Sequence, residues 1–204
     1  MKIHNPHRFW VLPALGALVF FGLVAVSGFR FQHDFSFWGT NISRLGRPSM
    51  NPDGHAFMVA GCILTNLFML PYYASLKVWY TGEPQIDRPL RFLIVLSYLS
   101  VVALVGLAVW NADHRIPHRV AGGLYFMADA VMMLSGAWVA WKHPGVSNWL
   151  APMAVMAAVF SLAFLASAGK ASWTEWISVS LNFSIAILMG FQAKKWVLEG
   201  REGG

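Results

Sequence analysis

A chain of 204 residues with 57% hydrophobic and only 12% charged side chains, and a mean hydropathy of +0.53, is unlike a soluble domain, in which about 25% of residues are charged. The shortfall argues for a membrane protein, because each charge in hydrocarbon costs a few kcal/mol, and the length suits one bundle with no second domain. The net charge of +6 sits in short segments between apolar runs, with no basic stripe interleaved with aromatics, which speaks against nucleic acid and for topology and lipid phosphate as its roles.

In chain order, the first apolar run spans 9–29 and follows the basic residues Lys2 and Arg8. It is longer than the apolar region of a signal peptide and lacks a small-x-small cleavage site, so we read it as a retained helix. A polar segment, 30–54, follows. Five further runs cover 55–79, 90–111, 118–141, 149–167 and 173–196. Each is long enough to cross about 30 Å of hydrocarbon at 1.5 Å per residue. Gly82-Glu83-Pro84, Arg88-Pro89 and His143-Pro144-Gly145 read as breaks between runs. Trp79, Trp110, Trp141, Trp149, Trp173 and Trp196 lie near run ends, where interfacial tryptophans belong. The expected fold is therefore all-α, a polytopic membrane protein built as one six-transmembrane-helix bundle over residues 1–204.

Loop charge predicts cytoplasmic N- and C-termini. Nine cations then fall inside (Lys2, Arg8, Lys77, Arg88, Arg91, Lys142, Lys194, Lys195, Arg201) and six outside (Arg30, Arg44, Arg47, Arg115, Arg119, Lys170). The outer six are mixed with His, Asp, Asn and Ser, which points to binding or chemistry on that side. The 30–54 loop is longer than connections usually are, and its aromatics (Phe31, Phe35, Phe37, Trp38) predict that it folds onto the outer rim.

Two runs share a polar pattern. His55, Cys62 and Asn66 stand at offsets of 0, 7 and 11, and so do His118, Tyr125 and Asp129. Those offsets keep each trio on one helical face. If the faces meet, they line a cleft open to the outside. Asp129 is the one acid well inside an apolar run, and an intramembrane carboxylate is a functional candidate by default. The alternative is a structural acid, hydrogen-bonded to Asn66, Asn182, Ser97 or Ser100. Cys62, the only cysteine, excludes a disulfide framework and an all-thiolate metal site and reads as a small buried hydrophobe.

The segment 111–119 is the densest polar cluster. His114 and His118 are four apart, a spacing that suits two metal ligands on a helix. Pro117 intervenes and reads as the opening of a helix, which would split the pair. His118 could instead be an interfacial histidine bonded to backbone or lipid. Ser43 lacks the strand-flanked Gly-x-Ser-x-Gly setting of a hydrolase nucleophile and reads as a turn or capping serine. Arg44 and Arg47 could clamp a phosphate or contact bulk head groups.

Asn41-Ile-Ser-Arg-Leu-Gly46 followed by Asn51-Pro-Asp-Gly-His-Ala-Phe57, together with His118-Arg-Val-Ala-Gly-Gly-Leu-Tyr-Phe126, resembles motifs of six-span membrane proteins of the DRAM type. GPI-anchor lipid-remodelling proteins share that layout, and the resemblance is closest to prokaryotic members of unknown function. It implies six spans, a prokaryotic cytoplasmic membrane and a site on this side of the bundle. Where many relatives carry an acid after the Ile-Ser pair, this chain has Arg44.

These observations predict a protein handling lipid head groups by binding or remodelling. Arg44, Arg47, Arg115 and Arg119 would contact phosphate, alongside Ser43, Asn66 and Tyr125. His118 and His55 would be acid–base candidates, because an imidazole is the side chain that most readily gives and takes a proton under physiological conditions, and Asp129 would orient or balance the site. A bound lipid is the expected companion. Two alternatives are a non-catalytic subunit of a larger membrane complex and a redox subunit with His55 and His118 as axial haem ligands.

Overall fold

The structure, a computed structural model, describes residues 8–202, with side chains described for 10–198. Lys2 and the side chains of Arg8 and Arg201, counted above toward the inner side, lie outside them. The described chain is helical and has no strand. Its long helices are α1 (Arg8–Phe29), α3 (His55–Ser75), α4 (Pro84–Val109), α5 (Arg115–Lys142), α6 (Leu150–Ala166) and α7 (Ser172–Glu202). A single turn, α2 (Ile42–Leu45), lies within the long first loop, and a 3-10 turn, Leu76–Trp79, extends α3. Five of the long helices are long and apolar enough to cross a membrane; α6, with 17 residues, is shorter.

Helix starts differ from the predicted ones for local reasons. α4 begins at Pro84, six residues before the expected start. Proline at the first helical position loses no intrahelical bond, and Asp87 steadies the approach by accepting the Thr81 and Gly82 N–H groups (3.0 and 3.1 Å). Pro89, read above as a break, lies within the helix. Its missing N–H would leave the Gln85 carbonyl without an intrahelical partner, and the Trp138 indole N–H donates to that carbonyl instead (3.1 Å). α5 begins at Arg115 rather than at 118, with His114 as its N-cap residue. Pro117 falls in the first turn, where an N–H has no partner to lose.

Each long helix packs against the next, α1 on α3 and onward to α7, and α7 returns to pack on α1. The result is a closed ring of six antiparallel helices around a central axis. Its two ends are unlike. At the end away from the long loop, Tyr72, Trp79, Ile86, Leu90, Val139 and Leu150 belong to one continuous buried core. Alanines 130, 137, 140, 151, 154 and 158 belong to it too, and small side chains let helices approach closely. At the loop-bearing end the core is a smaller cluster around Phe20, Val24, Leu45, Met58 and Trp176, and the axis is hollow. The outer surface of the ring carries exposed Leu18, Leu67, Val95, Val102, Val109 and Val159, the apolar exterior that a bilayer-facing bundle presents.

Candidate functional site

The hollow at the loop-bearing end is a cavity of about 830 Å³, within the range of ligand pockets. All six long helices and the α2 segment contribute to its wall. Arg44, Arg47, Arg115, Arg119 and His118 line it, as do Ser43 and the apolar Phe20, Met58 and Phe164. Below it lies a smaller chamber of about 90 Å³. Thr65, Leu104, Tyr125, Val179 and Phe183 belong to the walls of both.

The α2 turn is a roof over the larger cavity, fastened on two sides. On one side, Asn41 donates to the Gly169 carbonyl (2.7 Å) and accepts from the Ser172 hydroxyl. The Trp176 indole N–H donates to the Thr40 carbonyl (2.8 Å). The Glu175 carboxylate accepts the Ile42 N–H (2.9 Å) and that of Ser43, so an acid from α7 caps the first turn of α2, whose own Asn41 side chain makes no cap bond. The turn that offers its carbonyl to Asn41 is tightly wound: Ala168 and Gly169 have φ of +51° and +76°, a left-handed ending that suits glycine and strains alanine.

On the other side, Asp113 joins the roof to the α4–α5 turn. Its carboxylate accepts from Arg47 Nε (2.6 Å), the Ser49 hydroxyl (2.6 Å) and the Ser49 N–H (3.0 Å). The Ser49 hydroxyl, followed by the Arg47 guanidinium, holds this carboxyl at about 2, down from an ordinary 3.8. A third fastening lies beneath. Buried Asn51 donates to the Ser27 carbonyl (3.1 Å) and the Leu45 carbonyl (2.9 Å), tying the roof to the end of α1. Gly54 packs so closely on Asn51 and Ser27 that any Cβ there would collide with them.

The predicted residues divide among these features. Arg47 is ion-paired with Asp113; Arg44, Arg115 and Arg119 are exposed at the cavity without an acidic partner. His118 Nδ1 donates to the Trp110 carbonyl (2.8 Å), because a carbonyl can only accept, and this leaves Nε2 as the basic nitrogen. Tyr125, two helical turns further along, belongs to the wall common to both hollows. Asn66 and Asp129 line the lower chamber.

His55 is not on the cavity wall. Its Nδ1 faces the Asn51 and Pro52 carbonyls (3.2 and 3.0 Å) at the start of α3. The two histidines therefore do not converge. α3 and α5 are separated by α4 in the ring, yet Cys62, His118 and Tyr125 line the larger cavity and Asn66, Tyr125 and Asp129 the smaller one, so His55 alone of the two trios stands off the axis. Among the described residues no three His, Cys, Asp or Glu side chains come together as a metal-ligand set. His114 is exposed at the start of α5.

The lower chamber contains the deepest polar network. Asp129, 2% exposed, accepts from the Ser161 hydroxyl (2.6 Å) and from Asn182 Nδ2 (2.8 Å). Ser161 in turn shares a hydrogen bond with Ser178 (2.6 Å). Asn182 was one of the partners expected of Asp129; Asn66, another, makes no bond to it.

Sequence reading missed Glu175, Asn41, Ser161 and Ser178. Ser172-Trp-Thr-Glu175 has the spacing of a capping box, which accounts for the glutamate locally and hides that it caps a different helix. Ser161 and Ser178 are single hydroxyls in apolar runs and carry no pattern. A search of family models, curated proteins and solved structures finds no match to this chain.

Proposed function

We propose that the chain is an integral membrane protein that crosses the cytoplasmic membrane of a prokaryote six times, with both termini inside, and binds the head group of an anionic lipid in the outward-facing cavity. The observation that carries this reading is the charge at the mouth. Three arginines, Arg44, Arg115 and Arg119, face a cavity of about 830 Å³ with no acid paired to them. Guanidinium groups suit phosphate oxygens, which they can grip through two bonds at once. The apolar outer face of the ring and the resemblance to six-span lipid-remodelling proteins support the same reading. α6 completes the sixth crossing at roughly 25 Å, the short end of what a span requires.

His118 is the group through which binding becomes remodelling. With Nδ1 committed to Trp110, Nε2 is the candidate general base toward a head-group hydroxyl or water. Arg47 and Asp113 are occupied with each other and serve the roof. Glu175 serves the roof as well.

The test uses the purified protein in nanodiscs containing equal phosphatidylglycerol and phosphatidylcholine, with retained lipid read by native mass spectrometry. Preferential retention of phosphatidylglycerol is expected, reduced about tenfold in an Arg115→Ala/Arg119→Ala variant, equivalent to ~1.4 kcal/mol. Equal retention of the two lipids by the wild type would overturn the reading. A lipid extract that differs between cells carrying wild type and His118→Ala would extend it to remodelling.

A further inference from the structure

The lower chamber is built differently from the cavity above it, and it points to a different ligand. Asn66 on α3 and Ser100 on α4 are each 5% exposed, and Asn66 Nδ2, Ser100 Oγ and Asn182 Oδ1 have no hydrogen-bond partner. All three residues line the chamber, with Asp129 from α5 and Thr65. Buried polar groups are nearly always partnered, so three unpartnered groups from three helices, around one void, mark a place where something polar is held. Their depths agree. Counted from the loop-bearing helix ends, Asn66 lies roughly 16 Å in, Ser100 about 14 Å and Asn182 about 15 Å, near the middle of the ring.

The chemistry of the set restricts the occupant. Asp129 has no cationic neighbour among the described residues; its partners are the Ser161 hydroxyl and the Asn182 amide. An acid this deep in a bundle is normally balanced by a positive charge. The polar groups of the wall include the hydroxyls of Ser100 and Thr65 and the free carbonyl oxygen of Asn182, while the free Asn66 Nδ2 is a donor and suits a water bound to the ion; the rest is mostly apolar, with no thiolate or imidazole. Oxygen donors suit hard cations. One carboxylate among neutral oxygens balances a single charge, whereas a divalent ion would leave an excess positive charge in the membrane interior. The volume of about 90 Å³ admits a small ion with one or two waters, at about 30 Å³ per water, and is too small for a head group.

We propose that the chamber lined by Asp129, Asn66, Asn182, Ser100 and Thr65 is a binding site for a monovalent alkali cation. The site is separate from the arginine-lined cavity and does not depend on the lipid reading. Its place beneath the wall that includes Tyr125 would let the ion enter from the cavity side.

The experiment is thermal unfolding of the purified full chain in detergent, titrated with sodium chloride against choline chloride at constant ionic strength. A saturable rise in unfolding temperature with sodium, absent with choline, is expected. It should vanish in Asp129→Asn, which keeps the size and one acceptor oxygen but removes the charge. Ser100→Ala should raise the half-saturating sodium concentration about tenfold, the loss of one ion–oxygen contact. Arg119→Ala, in the upper cavity, should leave the sodium response unchanged. Identical unfolding in sodium and choline would overturn the proposal, showing that the chamber holds water around a protonated acid. A response that persists in Asp129→Asn, or one produced by calcium and not by sodium, would overturn it equally. Should Asp129→Asn fail to fold, the wild-type titration and Ser100→Ala decide the matter.

Discussion

Asp113 joins two loops by accepting three hydrogen bonds, and its charge is the reason they stay joined. Its carboxyl is held at about 2, chiefly by the Ser49 hydroxyl and then by Arg47. A carboxyl lowered in the folded state stabilises that state above its ordinary value of 3.8, and this contribution is lost as the pH falls through about 2. At neutral pH the same loss is produced by Asp113→Asn, which keeps the size and removes the charge. The roof should then open more often. Cys62 lines the cavity beneath and is the only cysteine, so its rate of alkylation by a water-soluble maleimide reads roof opening directly. A severalfold faster rate in Asp113→Asn is expected, and an unchanged rate would mean that the Glu175 and Asn51 fastenings suffice to keep the roof shut.

Helix ends carry further specific polar contacts, and the far end of α5 is the clearest case. His143, just past α5, donates from Nε2 to the Trp79 carbonyl (3.1 Å) and accepts the Gly145 N–H at Nδ1 (3.0 Å). Both ring nitrogens are used in the neutral form, and the imidazole lies edge-on between Trp79 and Trp196. Gly145 is pressed so closely on the Trp196 ring that a Cβ could not fit. Burial holds the His143 imidazole below its ordinary 6.5, against a weaker upward pull from the Trp79 carbonyl, Asp87 and Glu83. The unfolded chain therefore takes up this proton first. Stability from His143 is complete above pH 6.5 and is lost as the pH falls below it. Unfolding in detergent between pH 8 and 5 should show this slope, and His143→Gln should flatten it. Proline rules were least informative at such ends. Arg88-Pro89 reads locally as a break, yet the Trp138 indole on α5 satisfies the carbonyl that Pro89 leaves free; a partner 53 residues away is invisible to any local pattern.

The ring is the level at which sequence reading succeeded and failed together. Apolar runs and turn residues marked every long helix, because burial in lipid demands uninterrupted apolar length. They also directed attention to the loop-bearing end, where Arg44, Arg115, Arg119 and His118 line the larger cavity. They did not reveal which helices are neighbours. Equal offsets on the second and fourth runs suggested faces that line one cleft; across the intervening α4, Cys62, Asn66, His118, Tyr125 and Asp129 do line the two hollows, while His55 turns to its own loop. Of the partners that complete the Asp129 network, Asn182 was expected; Ser161 and the adjoining Ser178 come from α6 and α7, where isolated hydroxyls in apolar runs carry no periodic signal.

The contact of α7 with α1 has a consequence for how the molecule is made. A ribosome delivers α1 first and α7 last, so the seam between them is the final one to close. Until it does, the nascent chain is an open trough whose acid at Asp129 is exposed along one flank to the bilayer, lacking the amide of Asn182 and the hydroxyl of Ser178. Chains ended after Ala171 are expected to be cleared within minutes in a pulse-chase measurement while the full chain persists, and supplying residues 172–204 as a separate segment should restore them.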